Sequence, residues 1–182
     1  DPSVLEEIAR MKEKNIVVEI LRKLMAEQIA IYKRTNVVQA TTFSEKITLL
    51  MNTYYNGLIT NEEVIKELLK TAEEINALRK EGEKLGLSEE ELAFYDALTK
   101  PEHIKDFYEN ETLIALTREL TEMLRKNRTI DWQKKETARA GMRKMVKRLL
   151  KKYKYPPEKC EDAVETVMSQ CELWTDNTEL GR

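Results

Sequence analysis

The chain has 182 residues, of which 35% are charged and 41% hydrophobic, with a formal net charge of −2. Five Gly and four Pro are few, aromatics are sparse, and Leu, Glu, Lys and Ala dominate, a mixture that favours helix and disfavours sheet. The length suffices for one well-buried core or at most two small ones. No apolar run reaches the roughly 18 residues of a membrane span, and the scattered glycines supply neither a GxxxxGK(S/T) nor a GxGxxG phosphate loop.

Ser3 can cap a short first helix through about Lys12. Ile16, Val17, Ile20, Leu21, Leu24, Met25, Gln28 and Ile31 then follow helical spacing to about Lys33. A turn around Asn36 to Thr42 precedes a helix from Phe43 to Asn56, with Gly57 as its left-handed cap. Thr60 with Glu63 forms a capping-box pattern that opens a long helix, whose stripe is Val64, Leu68, Ala72, Ile75 and Leu78 and which stops near Gly86. Ser88 with Glu91 repeats the signal for a short helix to about Leu98, broken at Lys100-Pro101. A helix from about Ile104 to Lys126, interrupted near Asn110, is followed by a basic helix with Asp131 as its N-cap, ending before Pro156-Pro157. Pro157 begins a last helix towards Trp174, and residues 175–182 read as a frayed tail. The expected fold is all-α: an irregular bundle of six to eight helices with short connections, forming a single helical domain over residues 1–182.

Chemistry-bearing residues are sparse. His103 is the single histidine and sits in a polar linker. The carboxylate pairs Glu6-Glu7, Glu62-Glu63, Glu73-Glu74 and the Glu89-Glu90-Glu91 run fall on exposed faces or first turns, where they favour the helix dipole rather than converge in a cleft. Cys160 and Cys171 lie three turns apart on one helix, about 16 Å, which exceeds the roughly 7 Å a disulfide tolerates. They read as small core residues. Trp132, Trp174 and the tyrosines read as packing residues, so stacking on single-stranded nucleic acid is poorly supported. The chain begins Asp-Pro-Ser without a hydrophobic leader, which reads as a fragment of a longer cytoplasmic polypeptide.

One segment stands out. Between Arg125 and Lys154 there are 13 Lys and Arg against Asp131 and Glu136, a local balance of +11, while all other residues sum to −13. On a helix, Ala138, Met142, Met145, Val146, Leu149, Leu150 and Tyr153 form one apolar stripe and the cations cover most of the remainder. Runs such as Arg139–Arg143–Lys147–Lys151 repel at i,i+4, so an acidic counterpart is expected. The candidate partner-binding residues are Arg139, Arg143, Lys144, Lys147, Arg148, Lys151 and Lys152. The counterpart is another subunit, the phosphate backbone of double-stranded DNA bound without base recognition, or the chain's own Glu-rich helices. Gly141, in the middle of this helix, either admits a close approach or is simply tolerated.

The basic run IDWQKKETARAGMRKMVKRLLKKYKYPP (Ile130 to Pro157) resembles the C-terminal part of the motor, or R, subunit of type I restriction enzymes. KNIVVEILRKLMAEQI (Lys14 to Ile29) and LGLSEEELAFYDAL (Leu85 to Leu98) agree, as do FSEKI (Phe43 to Ile47) and GLITNEEVIKEL (Gly57 to Leu68), so the likeness covers roughly residues 11 to 172 in order. The resemblance implies a C-terminal helical domain cut from a large subunit that also holds a nuclease domain and two helicase-type ATPase lobes. Such subunits join methyltransferase and specificity subunits in a complex that translocates and cleaves DNA, using ATP and Mg2+. It further implies that this domain helps to dock the motor onto the methyltransferase core. None of the nuclease or ATPase motifs lies in this chain, so the resemblance carries no catalytic residue, cofactor or metal site into it, and the fragment itself is expected not to be an enzyme.

Overall fold

The structure, a computed structural model, describes residues 1–3, 14–129 and 131–180. Of the helix expected from Ser3 to Lys12, residues 4–12 lie outside the described residues; Ser3 does not act as its cap, since its own amide donates to the Asp1 carboxylate at 3.0 Å. Eight α-helices and one 3-10 turn form the described chain, and no strand occurs among these residues, as an all-α fold requires. They group into two compact units: residues 1–33 with 39–84, and residues 34–38 with 85–182.

The first unit contains α1 (Lys14–Thr35), α2 (Val37–Tyr55) and α3 (Asn61–Leu85). Val17, Val18, Leu21, Met25 and Ile29 of α1 meet Phe43, Ile47 and Met51 of α2 and Val64, Ile65, Leu68, Ala72 and Ile75 of α3 in one buried cluster. The buried stripe of α1 is therefore turned from the expected one: Ile16 stays 53% exposed and Ile31 42%. Two helix ends are set locally. Gly57 adopts φ 73°, and the Leu58 and Gly57 amides donate to the Thr53 and Tyr54 carbonyls at 3.1 and 3.0 Å, a Schellman closure that needs the left-handed residue. The Thr60/Glu63 box forms in both directions, at 3.1 and 3.4 Å. Lys46 on α2 ties to Glu74 on α3 at 2.5 Å.

The turn expected over Asn36 to Thr42 shrinks to Asn36 alone. The cause lies far away in sequence: Gln170 accepts from the Val37 amide at 2.8 Å and donates to the Thr35 carbonyl at 2.9 Å, while Asn36 donates to Asp96 at 2.8 Å. Backbone groups that a helix break would leave wanting are thus satisfied by side chains, and α2 can begin at once.

The second unit contains α4 (Glu89–Thr99), α5 (Ile104–Phe107), α6 (Asn110–Asn127), the 3-10 turn Trp132–Lys134, α7 (Glu136–Lys152) and α8 (Pro157–Leu180). The Ser88/Glu91 capping box opens α4 as expected. Both α4 and α7 pack on α6 and α8. The shared core includes Phe94, Leu98, Leu116, Leu120, Leu124, Trp132, Val146, Leu150, Val164, Val167 and Cys171. The break near Asn110 is present, between α5 and α6. Beyond α7, Tyr155 donates to the Leu98 carbonyl and Tyr108 to the Tyr153 carbonyl, both at 2.7 Å, so the chain leaving the basic helix is clasped from two sides.

Two boundaries differ from expectation. Asp131 does not cap the basic helix. It adopts a left-handed φ of 60° before the 3-10 turn, and Lys135 precedes the first residue of α7. The cause is Trp132, 1% exposed, whose burial reels the chain inward for one tight turn. Nor does the last helix fray at Thr175. Thr175 is buried and accepts from the Trp132 indole at 3.0 Å while donating to the Cys171 carbonyl at 2.9 Å, and Gln133 reaches Asp176 at 2.7 Å. These contacts carry α8 past residue 175. Replacing Thr175 by Val keeps the shape but leaves the buried indole N–H without an acceptor, so a loss of about 1–3 kcal/mol is expected in urea unfolding; an unchanged midpoint would show that the hydroxyl does not anchor the helix.

Candidate functional site

The basic helix α7 presents three faces. Its inner face carries Met142, Val146, Leu149 and Leu150 into the core. The face towards α8 carries Arg139, Arg143 and Lys147, one turn apart. Arg139 pairs with Glu172, Arg143 with Glu165, and Lys147 with Glu161 at 3.0 Å. The two helices run antiparallel along this ladder, since the cation number rises as the acid number falls. On the other flank Lys152 pairs with Glu119 of α6 at 2.7 Å, and Tyr153 donates to the second oxygen of the same carboxylate.

These pairs leave a protonation signature. The hydrogen bond that Arg143 donates to Glu165 holds the Glu165 carboxyl below the usual carboxylate range and raises the Arg143 guanidinium. Hydrogen bonds from Lys152, and then from Tyr153, lower Glu119. Donating that bond to the Glu119 carboxylate, and then burial, push the Tyr153 phenol up to about 12.

The third face looks outward. Thr137, Gly141, Lys144, Arg148 and Lys151 follow one another at intervals of four, three, four and three residues, the spacing of a single helical seam. Ala140 lies beside Gly141 and is exposed, as are Lys144, Arg148 and Lys151. Among the described residues these three cations have no ion pair. Among the described residues a Cβ built on Gly141 would meet nothing within 4 Å, so none of them requires the missing side chain, which costs a helix about 1 kcal/mol relative to alanine.

The seven cations singled out in sequence thus divide. Arg139, Arg143, Lys147 and Lys152 answer acids of the same chain, and Lys144, Arg148 and Lys151 face solvent. What sequence reasoning missed is the acidic side of the ladder. Glu161, Glu165 and Glu172 stand at i, i+4 and i+11 on the last helix, a spacing that could have flagged them as the counterpart.

The remaining candidates are structural. Trp132 is a core plug, and Trp174 packs edge-on against Phe94 with Arg128 stacked 3.9 Å from its ring centroid. The His103 side chain is 79% exposed at a left-handed turn. Cys171 is buried, which pushes its thiol up to about 12, and both cysteines are free thiols. Among the described residues no group of three or more His, Cys, Asp or Glu could hold a metal ion, and no helix is long and apolar enough to cross a membrane.

The described residues form an all-α arrangement with positive charge concentrated on one helix, in keeping with the helical domain that the sequence resembles. It belongs to the family described as type I restriction enzyme HindI endonuclease subunit-like, C-terminal, which matches residues 1–177. The Type I restriction enzyme HindI endonuclease subunit of Haemophilus influenzae is 40% identical over 168 residues, 92% of this chain and 16% of that protein. The Putative type I restriction enzyme MjaIXP endonuclease subunit of Methanocaldococcus jannaschii is 32% identical over 149 residues, 81% of this chain and 14% of that protein. The chain therefore spans a small part of the relatives it matches. No solved structure matches it.

Two outcomes follow from the ladder and the glycine. Glu165 and Glu119 titrate lower in the folded chain than in the unfolded one, so the unfolded chain binds protons first as pH falls. Their contribution is present above the unfolded carboxylate value of about 4.3 and is lost as pH drops through the folded value. The Glu119→Gln, Glu165→Gln double variant should show a shallower fall in Tm between roughly pH 5 and pH 3, a small effect because both groups are well solvated; an identical slope would remove these pairs from the stability of the unit. Gly141→Ala should raise unfolding stability by about 1 kcal/mol, and a loss would mean that the outer face is already occupied within the chain.

Proposed function

We propose that this domain is the assembly module of a type I restriction enzyme motor and endonuclease subunit, docking that subunit onto the methyltransferase core. Family membership supports a reading within a restriction complex, and the observation that carries it is the division of the basic helix. The fold consumes four of the seven cations and leaves three in register on a face that meets no acid among the described residues. Like charges kept in line at i,i+4 and i,i+3 without relief are a cost that a partner surface offsets.

In this reading the domain carries no catalytic group. ATP and Mg2+ act in the rest of the subunit, and the partners are the methyltransferase and specificity subunits. A sequence-independent clamp on the phosphate backbone of double-stranded DNA is the competing use of the same cations, and it would weaken steeply between low and moderate salt.

The test compares the whole subunit with one lacking the residues that correspond to 1–182, each mixed with the assembled methyltransferase–specificity complex in the absence of DNA and run on a sizing column. The whole subunit should co-elute and the truncated one should not, while still hydrolysing ATP. Co-elution of both would remove the docking role from this domain.

A further inference from the structure

The outer face of α7 has two properties that the inner ladder does not explain, and together they specify an occupant. The first is spacing. Arg139, Arg143 and Lys147 meet carboxylates carried by a helix, α8, at successive turns. Lys144, Arg148 and Lys151 repeat nearly the same intervals on the opposite side and meet no acid among the described residues. The second is Gly141, one turn before Lys144 on that side, with none of the described residues within 4 Å of its missing Cβ.

A phosphate backbone would use the cations but gain little from the glycine. The amide of a mid-helix residue already donates to the carbonyl four residues earlier, so Gly141 offers no N–H to an anion. A helix uses both. Removing a side chain at the crossing point lets two helix axes approach closely, and carboxylates placed on successive turns beyond the crossing reach the cations.

Resting on the docking role above, we propose that the seam Gly141–Lys144–Arg148–Lys151 receives an acidic helix of the methyltransferase core. That helix crosses α7 at Gly141 and presents carboxylates on successive turns, at i, i+4 and i+7, where α8 presents its own at i, i+4 and i+11. The basic helix is then sandwiched between two acidic helices, one from its own chain and one from its partner. Of the sequence candidates, Lys144, Arg148 and Lys151 are the partner-facing set, and Arg139, Arg143, Lys147 and Lys152 hold the helix in place.

The test uses the whole subunit carrying either the Lys144→Glu, Arg148→Glu, Lys151→Glu triple substitution or Gly141→Leu. Affinity for the methyltransferase–specificity complex is measured at two salt concentrations, and binding to a non-specific duplex of about 30 base pairs is measured in parallel. The triple variant should bind the complex at least about tenfold more weakly, with the difference narrowing at high salt. Gly141→Leu should also bind more weakly while its melting temperature is unchanged or higher, because the crossing is blocked and the fold is not. Unaltered assembly by the triple variant, where deletion of residues 1–182 abolishes assembly, would overturn this face and leave the docking role standing. Deletion without effect would remove the docking role itself. Normal assembly with duplex binding lost in the triple variant would assign the cations to phosphate instead. Weak assembly by the triple variant with normal assembly by Gly141→Leu would overturn the close helix crossing.

Discussion

Arg139, Arg143, Lys147 and Lys151 stand one turn apart on a single helix, each repelling the next, and the second unit is arranged around relieving that repulsion. Left alone, such a run loses a few tenths of a kcal/mol per like-charge pair and would fray. Here α8 lies antiparallel beside it and returns Glu172, Glu165 and Glu161 to the first three, while Glu119 of α6 takes Lys152. None of these exposed pairs is individually strong. Their effect is directional: they fix which side of α7 faces α8, which side faces α6 and which side is left to solvent. Leu149, Leu150 and Val146 then fall into the core without a competing rotation.

That arrangement explains why the sequence revealed the helices better than their surfaces. Helix starts and stops written within four residues were legible: Thr60 with Glu63, Ser88 with Glu91, Gly57, and Pro157. Those written across the chain were not. Asn36 reads as the start of a loop until Gln170, 133 residues away from Val37, supplies the missing partners. Thr175 reads as a tail until the Trp132 indole reaches it. Asp131 has the chemistry of an N-cap, but burial of the adjacent tryptophan decides its backbone instead.

The candidate site follows the same rule. The cationic helix and its apolar stripe could be read from composition and period. The partition of its cations could not, because it depends on which neighbouring helix brings acids and at what register. Gly141 is ambiguous in sequence for the same reason: whether a glycine is needed is a property of what stands opposite it, and among the described residues nothing does.

The knot at Thr35, Asn36 and Val37 also has a temporal meaning. The core built by α1, α2 and α3 is contiguous along the chain apart from this knot, so it can close while the protein is still being made. Residues 34–38, emerging in the middle of that core, belong to the other unit and wait for Gln170, which leaves the ribosome more than a hundred residues later. Closure of the second unit is therefore a late, long-range event, completed by one glutamine side chain that reaches back to the early part of the chain.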